Sequence, residues 1–196
     1  MTTTTGRRER KKAQTRRALA DAALRLFLEH GYDGVTVAQI AEEADVALAT
    51  LFKHVPDGKE ALIFDDGAER REALVAAVRT RPAGEPVLAA LRRFMAGRGA
   101  FSTDLSPELR RKRDLVMATP ALRGHQRELW LRSESALAEA IAADCGRDAG
   151  DAAVRALARY VVEVPELAGT APDPLAALNA VFDLLESGWQ SAPAAS

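Results

Sequence analysis

The sequence predicts an all-α fold, and three observations carry that prediction. Forty of the 196 residues are alanine, the strongest helix former. Valine and isoleucine rarely alternate with polar residues, so no stretch shows the period of two that a half-buried strand requires. Proline stands where a first helical residue belongs in Glu85-Pro86, Ser106-Pro107, Thr119-Pro120 and Asp173-Pro174. In the last three a good capping residue precedes it.

Taken in order, residues 1–6 are a Thr-rich tail without pattern, expected to be disordered. From about Lys11 to His30 the apolar residues Leu19, Ala22, Ala23, Leu26 and Phe27 recur at helical spacing. Gly31 suits a left-handed cap and Tyr32-Asp33-Gly34 a turn. Thr36 then predicts a helix start: Gln39 three residues on completes a capping box, and Val35 with Ile40 forms a hydrophobic staple. That helix ends near Glu43, Ala44-Asp45-Val46 makes a tight turn, and Ala47 to His54 forms a second short helix. Pro56-Asp57-Gly58 breaks it, and Asp57 is expected to cap a long helix running to about Arg79, with Glu60 in its first turn. Arg81 to Gly84 is a linker, followed by helices near 86–97, 107–118, 120–145, 150–164 and 174–190. In the longest, Leu122, Leu129, Trp130, Ser133, Leu137 and Ile141 share a face; in the last, Leu175, Leu178, Val181, Phe182, Leu185 and Trp189 do so. About nine helices result.

Charge is unevenly placed on this nearly neutral chain, whose formal net charge is −1. Residues 1–17 carry Arg7, Arg8, Arg10, Lys11, Lys12, Arg16 and Arg17 against Glu9 alone, while from Glu139 onward nine acids face three arginines. A basic arm on an acidic body suits a phosphate-backbone contact. No apolar run approaches the ~20 residues of a membrane span, and no apolar stretch follows the N-terminal cations as a secretory signal demands. The single cysteine, Cys145, forms no internal disulfide, so a reducing cytoplasm is expected. His30, His54 and His125 are scattered and there is no Gly-rich phosphate loop. No metal, cofactor or enzyme chemistry is implied.

The functional motif is the pair of short helices, the spacing of a DNA-binding helix-turn-helix. Val37, Ile40 and Ala41 on one helix can pack against Val46, Leu51 and Val55 around the other, and Ala41 and Ala44 are small enough for a close crossing. The run from Gly31 to Val46 (GYDGVTVAQIAEEADV), then Thr50-Leu-Phe-Lys-His-Val-Pro and Lys59-Glu-Ala-Leu, resembles the N-terminal domain of TetR-family repressors over about residues 12–64. The resemblance implies a three-helix helix-turn-helix DNA-binding domain followed by a helical ligand-binding and dimerisation domain. The expected boundaries are a disordered basic arm over 1–10, the helix-turn-helix domain over 11–57, a connecting helix over 58–80 and the ligand-binding and dimerisation domain over 81–191.

Residue by residue, Thr36 can present its hydroxyl and the free amides of its helix to a phosphate, with Arg10 reaching the backbone from the arm. Leu48, Ala49, Thr50, Phe52, Lys53 and His54 match the exposed face of the family's recognition helix. Lys53 can meet a guanine edge or a phosphate, and the Thr50 methyl a thymine methyl. Lys59 resembles the family's phosphate-gripping lysine. The chain departs from the pattern at Ala47, where Ser or Thr often caps the recognition helix; at Phe52, which replaces a common Tyr; and at Asp57-Gly58, one residue longer than usual. Base-edge hydrogen bonding is therefore sparse, and shape and methyl readout are expected to matter more.

In the second domain Leu91, Phe94, Met95, Phe101, Met117 and Trp130 offer apolar surface for a ligand. Arg110-Arg111-Lys112-Arg113 sets four cations against a helix dipole. The segment Arg113 to Arg123 resembles a TetR subgroup that binds acyl-CoA-like ligands and includes mycofactocin regulators; Arg113 would then meet an anionic head group. Helices 150–164 and 174–190 carry the Ala-rich and Leu-rich stripes of a four-helix dimer interface. The expectation is a homodimeric repressor that binds a palindromic double-stranded DNA operator and is released by a lipophilic or acyl-CoA-like effector. The alternative is a helical ligand-binding or interaction protein whose DNA-binding domain has degenerated.

Overall fold

The computed structural model describes residues 3–55 and 58–188. The expected break at Pro56-Asp57, the expected cap on Asp57, and Trp189 with the expected helix end at 190 lie outside the described residues. The chain is all-α there, and ten α-helices and two 3-10 turns divide between two compact units.

The first unit comprises residues 1–65 and 107–125. It contains α1 (Thr3–His30), α2 (Val37–Glu43), α3 (Leu48–His54), a 3-10 turn at Lys59–Leu62, α6 (Pro107–Ala118) and the start of α7 (Pro120–Leu131). Helix α1 begins at Thr3 rather than near Lys11, so the expected disordered arm is helical from that residue on. Arg7, Arg8, Glu9 and Arg10 are good helix formers, and they carry the helix past Gly6 and the β-branched Thr3 to Thr5. The core is Leu19, Ala22, Ala23 and Phe27 of α1, Ile40 and Ala41 of α2, and Leu51 of α3. Tyr32, Val35, Val55, Leu62, Ile63, Val116 and Leu122 complete it.

The second unit comprises residues 66–106 and 126–196. It contains α4 (Ala68–Arg79), α5 (Val87–Ala96), a 3-10 turn at Gly99–Phe101, α8 (Glu134–Cys145), α9 (Ala152–Ala168) and α10 (Pro174–Ser187). Leu74 and Val78 of α4, Leu91 and Met95 of α5, Leu137 and Ile141 of α8, Val161 of α9 and Phe182 of α10 meet in its core.

Two long helices expected from sequence are interrupted. The connecting helix over 58–80 is instead the short 3-10 turn, a stretch of non-helical chain, and α4 from Ala68. Gly67 takes a positive φ of 76°, and the Asp66 carboxylate accepts from the Ala68 amide at 3.0 Å. An Asp-Gly pair that caps the next helix from outside cannot lie inside one. The helix over 120–145 breaks at Arg132-Ser133 into α7 and α8, with Ser133 buried and making no side-chain cap. Conversely, α9 runs past the expected end at 164 to Ala168, carrying Pro165 in its last turns. Leu122, Leu129, Trp130, Ser133, Leu137 and Ile141 are all buried, but not on one face: Leu122 lies in the first unit's core, and Trp130, Leu137 and Ile141 in the second's.

Candidate nucleic-acid interface

The first unit builds its site from α2 outward. The Thr36 hydroxyl accepts from the Gln39 amide at 3.3 Å, while Gln39 Oε1 accepts from the Thr36 amide at 2.8 Å. Both halves of the capping box are present, and the staple residues Val35 and Ile40 are buried. At the other end Asp45 takes a positive φ of 53°. Its amide donates to Glu42 O at 3.0 Å and the Val46 amide to Ala41 O at 2.9 Å, the bond pair of a Schellman motif. A short polar side chain tolerates the left-handed region better than most, so Asp45 turns the chain between the two helices.

Helix α3 starts differently. Ala47 at its N-cap makes no side-chain bond; the Thr50 and Leu51 amides reach the Ala47 carbonyl at 2.8 and 3.1 Å. Leu51 and Val55 are buried against the core. The opposite face carries Leu48, Ala49, Phe52 and Lys53, spaced to lie together, and all four are exposed. Leu48 is 42% and Phe52 53% exposed, so the outward face of α3 is apolar around one cation. Thr50 and His54 are half-buried at its margin. Arg10 lies exposed on α1 with its Nε donating to Gly6 O at 3.0 Å.

Two cations hold this arrangement from behind. Arg16 of α1 donates to the carbonyls of His54, Ala61 and Phe64 at 3.2, 3.4 and 3.4 Å, fastening the end of α3. Its position was a readable signal: it lies on the stripe of Leu19, Ala23 and Phe27, where a cation has no business unless it is bonded. Lys59 is used internally: its Nζ donates to Tyr32 O and Val35 O, each at 2.7 Å, and sits 4.0 Å from the centre of the Tyr32 ring. The ammonium therefore fixes the loop that delivers Thr36. The Tyr32 hydroxyl donates to Glu60, and burial first, then that carboxylate, push the phenol well above its ordinary pKa.

Residues 19–65 match the bacterial regulatory proteins of the tetR family, and residues 85–190 match the MftR C-terminal domain. The second match alone spans more than half of the chain. The chain belongs to the TetR family of transcriptional regulators. This TetR-family chain is 43% identical over 86 residues to the HTH-type transcriptional regulator TcmR of Streptomyces glaucescens, a stretch covering 44% of this chain and 38% of that protein. The alignment thus spans well under two thirds of the relative. Among solved structures, the TetR family transcriptional regulator PfmR from Thermus thermophilus gives a TM-score of 0.44 at 23% identity, over 90% of this chain and 97% of the other. A TetR-family chain from Mesorhizobium loti gives 0.46 at 18%, over 88% and 97%. Family membership makes the protein a regulator rather than an enzyme.

Of the residues expected at an effector site, the regulator's second unit gathers five. Leu91, Met95, Phe101 and Trp130 belong to its buried core and Phe94 packs against them. Arg70 of α4 stacks on the Trp130 ring at 4.9 Å, and the buried Trp130 Nε1–H finds no acceptor among the described residues. Arg113 and Met117 are not brought to this cluster. Both sit on α6 in the first unit, where Arg113 pairs with Asp114 at 2.7 Å and Met117 packs against that unit's own core. Among the described residues no group of three His, Cys, Asp or Glu could hold a metal, and no helix is long and apolar enough to cross a membrane.

Proposed function

We propose that this TetR-type regulator is a cytoplasmic, homodimeric, ligand-responsive repressor that binds a palindromic operator and leaves it when an effector binds. The observation that carries the proposal is the outward face of α3. Leu48, Ala49, Phe52 and Lys53 stand exposed on a helix whose inner face is locked by Leu51, Val55 and Arg16, next to a fully capped α2. In a helix-turn-helix that face enters the major groove, with the two helices of a dimer reading half-sites one turn apart. Its methyl and ring surface suits thymine methyls, and Lys53 a guanine or a phosphate.

Two features support the rest. Ala153, Ala156, Tyr160 and Leu167 of α9 and Ala176, Asn179, Ala180 and Asp183 of α10 are exposed at helical spacing. Tyr160 is 39% and Leu167 55% exposed, and this mostly apolar surface of small and large residues is fit for a two-fold helical interface. The buried indole N–H of Trp130, in the core that also holds Met95 and Phe101, has no acceptor among the described residues and suits one on a lipophilic or acyl-CoA-like effector. Effector binding releases DNA only if the ligand prefers a conformer whose recognition helices are wrongly spaced.

The test is binding of the purified protein to its own promoter DNA at two salt concentrations. A shifted fragment that survives excess nonspecific DNA, and is released by an acyl-CoA or a lipophilic drug, is the expected result. If no fragment in a genome-wide selection is bound above nonspecific level, the operator reading fails. The rival favoured by the uncapped Ala47, a ligand-binding protein with a degenerate DNA-binding domain, then takes its place.

A further inference from the structure

The lysines of this arginine-rich chain are Lys11, Lys12, Lys53, Lys59 and Lys112, and the fold treats them in three ways. Lys11, Lys12 and Lys53 are exposed, so water solvates each ammonium. Lys59 is half-buried, and its Nζ donates to the carbonyls of Tyr32 and Val35. Lys112 is half-buried as well, yet among the described residues no hydrogen bond or close ion pair holds its Nζ. It stands on α6, which packs on α1 within the first unit.

The space around Lys112 is an open groove of about 460 Å³. Arg16, Arg17 and Asp21 of α1 line it, as does Asp65, and Leu24, Leu62, Ile63 and Phe64 supply its apolar part. Arg16 is engaged by the carbonyls of His54, Ala61 and Phe64, and on α6 itself Arg113 is held by Asp114. An ammonium taken partly out of water without a bonded partner is disfavoured. Asp65 and Glu108 oppose that tendency, but burial outweighs them and pulls the Lys112 pKa below the ordinary lysine value. An amine that spends more time neutral, beside a space with room for an acyl group and apolar walls to receive it, is a nucleophile in a fitted setting.

We propose that Lys112 is an acylation site, its amine taking an acyl group from an acyl thioester and the groove housing the group transferred. The neutral Nζ attacks the thioester carbonyl carbon. A C–N bond forms as the C–S bond breaks, the thiolate leaves with the electron pair, and the nitrogen's proton passes through solvent to that thiolate. The amide product carries no charge, so Asp65 and Glu108 lose the cation they face. The acyl group then lies in the groove that Arg16 also lines, the residue that fastens the end of α3 through the His54 carbonyl. This chemistry is independent of whether the unit binds DNA.

The test incubates the whole chain with N,S-diacetylcysteamine, a thioester without phosphate, over a range of pH. Peptide mass spectrometry follows acetylation at each lysine. At neutral pH Lys112 is expected to react about threefold or more faster than Lys11, Lys12 and Lys53, its surplus of neutral amine outweighing the lower nucleophilicity that accompanies a lower pKa. Its rate is also expected to level off at a lower pH than theirs, and the doubly bonded Lys59 to be slowest. In urea that unfolds the chain, the lysines are expected to converge. A native Lys112 no faster than the exposed lysines, or a pH profile superimposed on theirs, overturns the proposal. A preference that survives in urea overturns it too, because the neighbouring arginines in sequence, not the groove, would then be its cause.

Discussion

Helices α2 and α3 are each seven residues long, too short to persist alone in water, and they are stabilised in opposite ways. The first is determined locally. Thr36 and Gln39 close its start, Asp45 closes its end, and Lys59 pins the preceding loop through two carbonyls. The second has an alanine at its N-cap and depends on Leu51, Val55 and the Arg16 bond to His54 O. Every anchor of α3 therefore lies on its inner side or at its end, and none uses the outer face. A helix held this way can vary Leu48, Ala49, Phe52 and Lys53 without losing its place, which is what a recognition surface requires.

The largest break in this comparison comes from Leu51→Ala. Leu51 is 1% exposed, and truncating a buried leucine costs about 3 kcal/mol. Urea unfolding measures the loss, and amide exchange shows where it falls: protection is expected to collapse in α3 before α2. Equal loss in both would mean that α2 is as dependent on tertiary packing as its neighbour.

Next in size is Lys59→Met, which keeps the aliphatic stem but removes the donors to Tyr32 O and Val35 O. Hydrogen bonds from a charged group are worth about 1.5–3 kcal/mol where buried. Lys59 is half-buried, so a loss of about 1.5 kcal/mol is expected, with earlier exchange of amides around Thr36. If DNA affinity falls while stability stays at the wild-type value, Lys59 is a phosphate contact first and the loop clamp is incidental. Below this comes Thr36→Ala, which removes the hydroxyl that accepts from the Gln39 amide and leaves the backbone half of the capping box in place, for about 1 kcal/mol, while Thr36→Ser is expected to restore most of it. A thermal melt of the three proteins at one pH is enough to rank them.

How much of this could be read in the sequence follows the same division. Local chemistry was legible: Thr36 with Gln39, Val35 with Ile40, and Pro107, Pro120 and Pro174 at the heads of their helices all stand where the motifs place them. The interruption before α4 is signalled by Asp66-Gly67, which a helix capped at Asp57 and running to Arg79 passes over. The break at Ser133 has no such signal, since the serine is buried, makes no cap bond and has no proline or glycine beside it. Tertiary roles were the least visible. Lys59 looks the same in sequence whether its ammonium faces phosphate or the Tyr32 carbonyl, and only packing decides. Met117 and Trp130 have similar apolar character, yet the chain carries them into different units. For a recognition helix anchored by distant residues, the motif gives the helix and the fold gives its anchors.

The smallest expected effect is also the one that tests the contrast most directly. Ala47→Ser gives α3 the capping oxygen that α2 already has. The backbone at Ala47, φ −59° and ψ 137°, accepts a serine without strain, and replacing alanine by a capping hydroxyl is commonly worth about 1 kcal/mol. Here the Thr50 amide, the natural partner, already donates to the Ala47 carbonyl at 2.8 Å. The hydroxyl must share that donor or take the less favourable Ala49 amide, so a gain of about 0.5 kcal/mol is expected. It should appear as a higher urea midpoint at unchanged slope. A full gain of about 1 kcal/mol would show that the start of α3 is truly under-bonded and that its stability was left to the core. No gain would show that backbone bonding alone saturates the helix start, and the difference between α2 and α3 would then reside in their ends and inner faces.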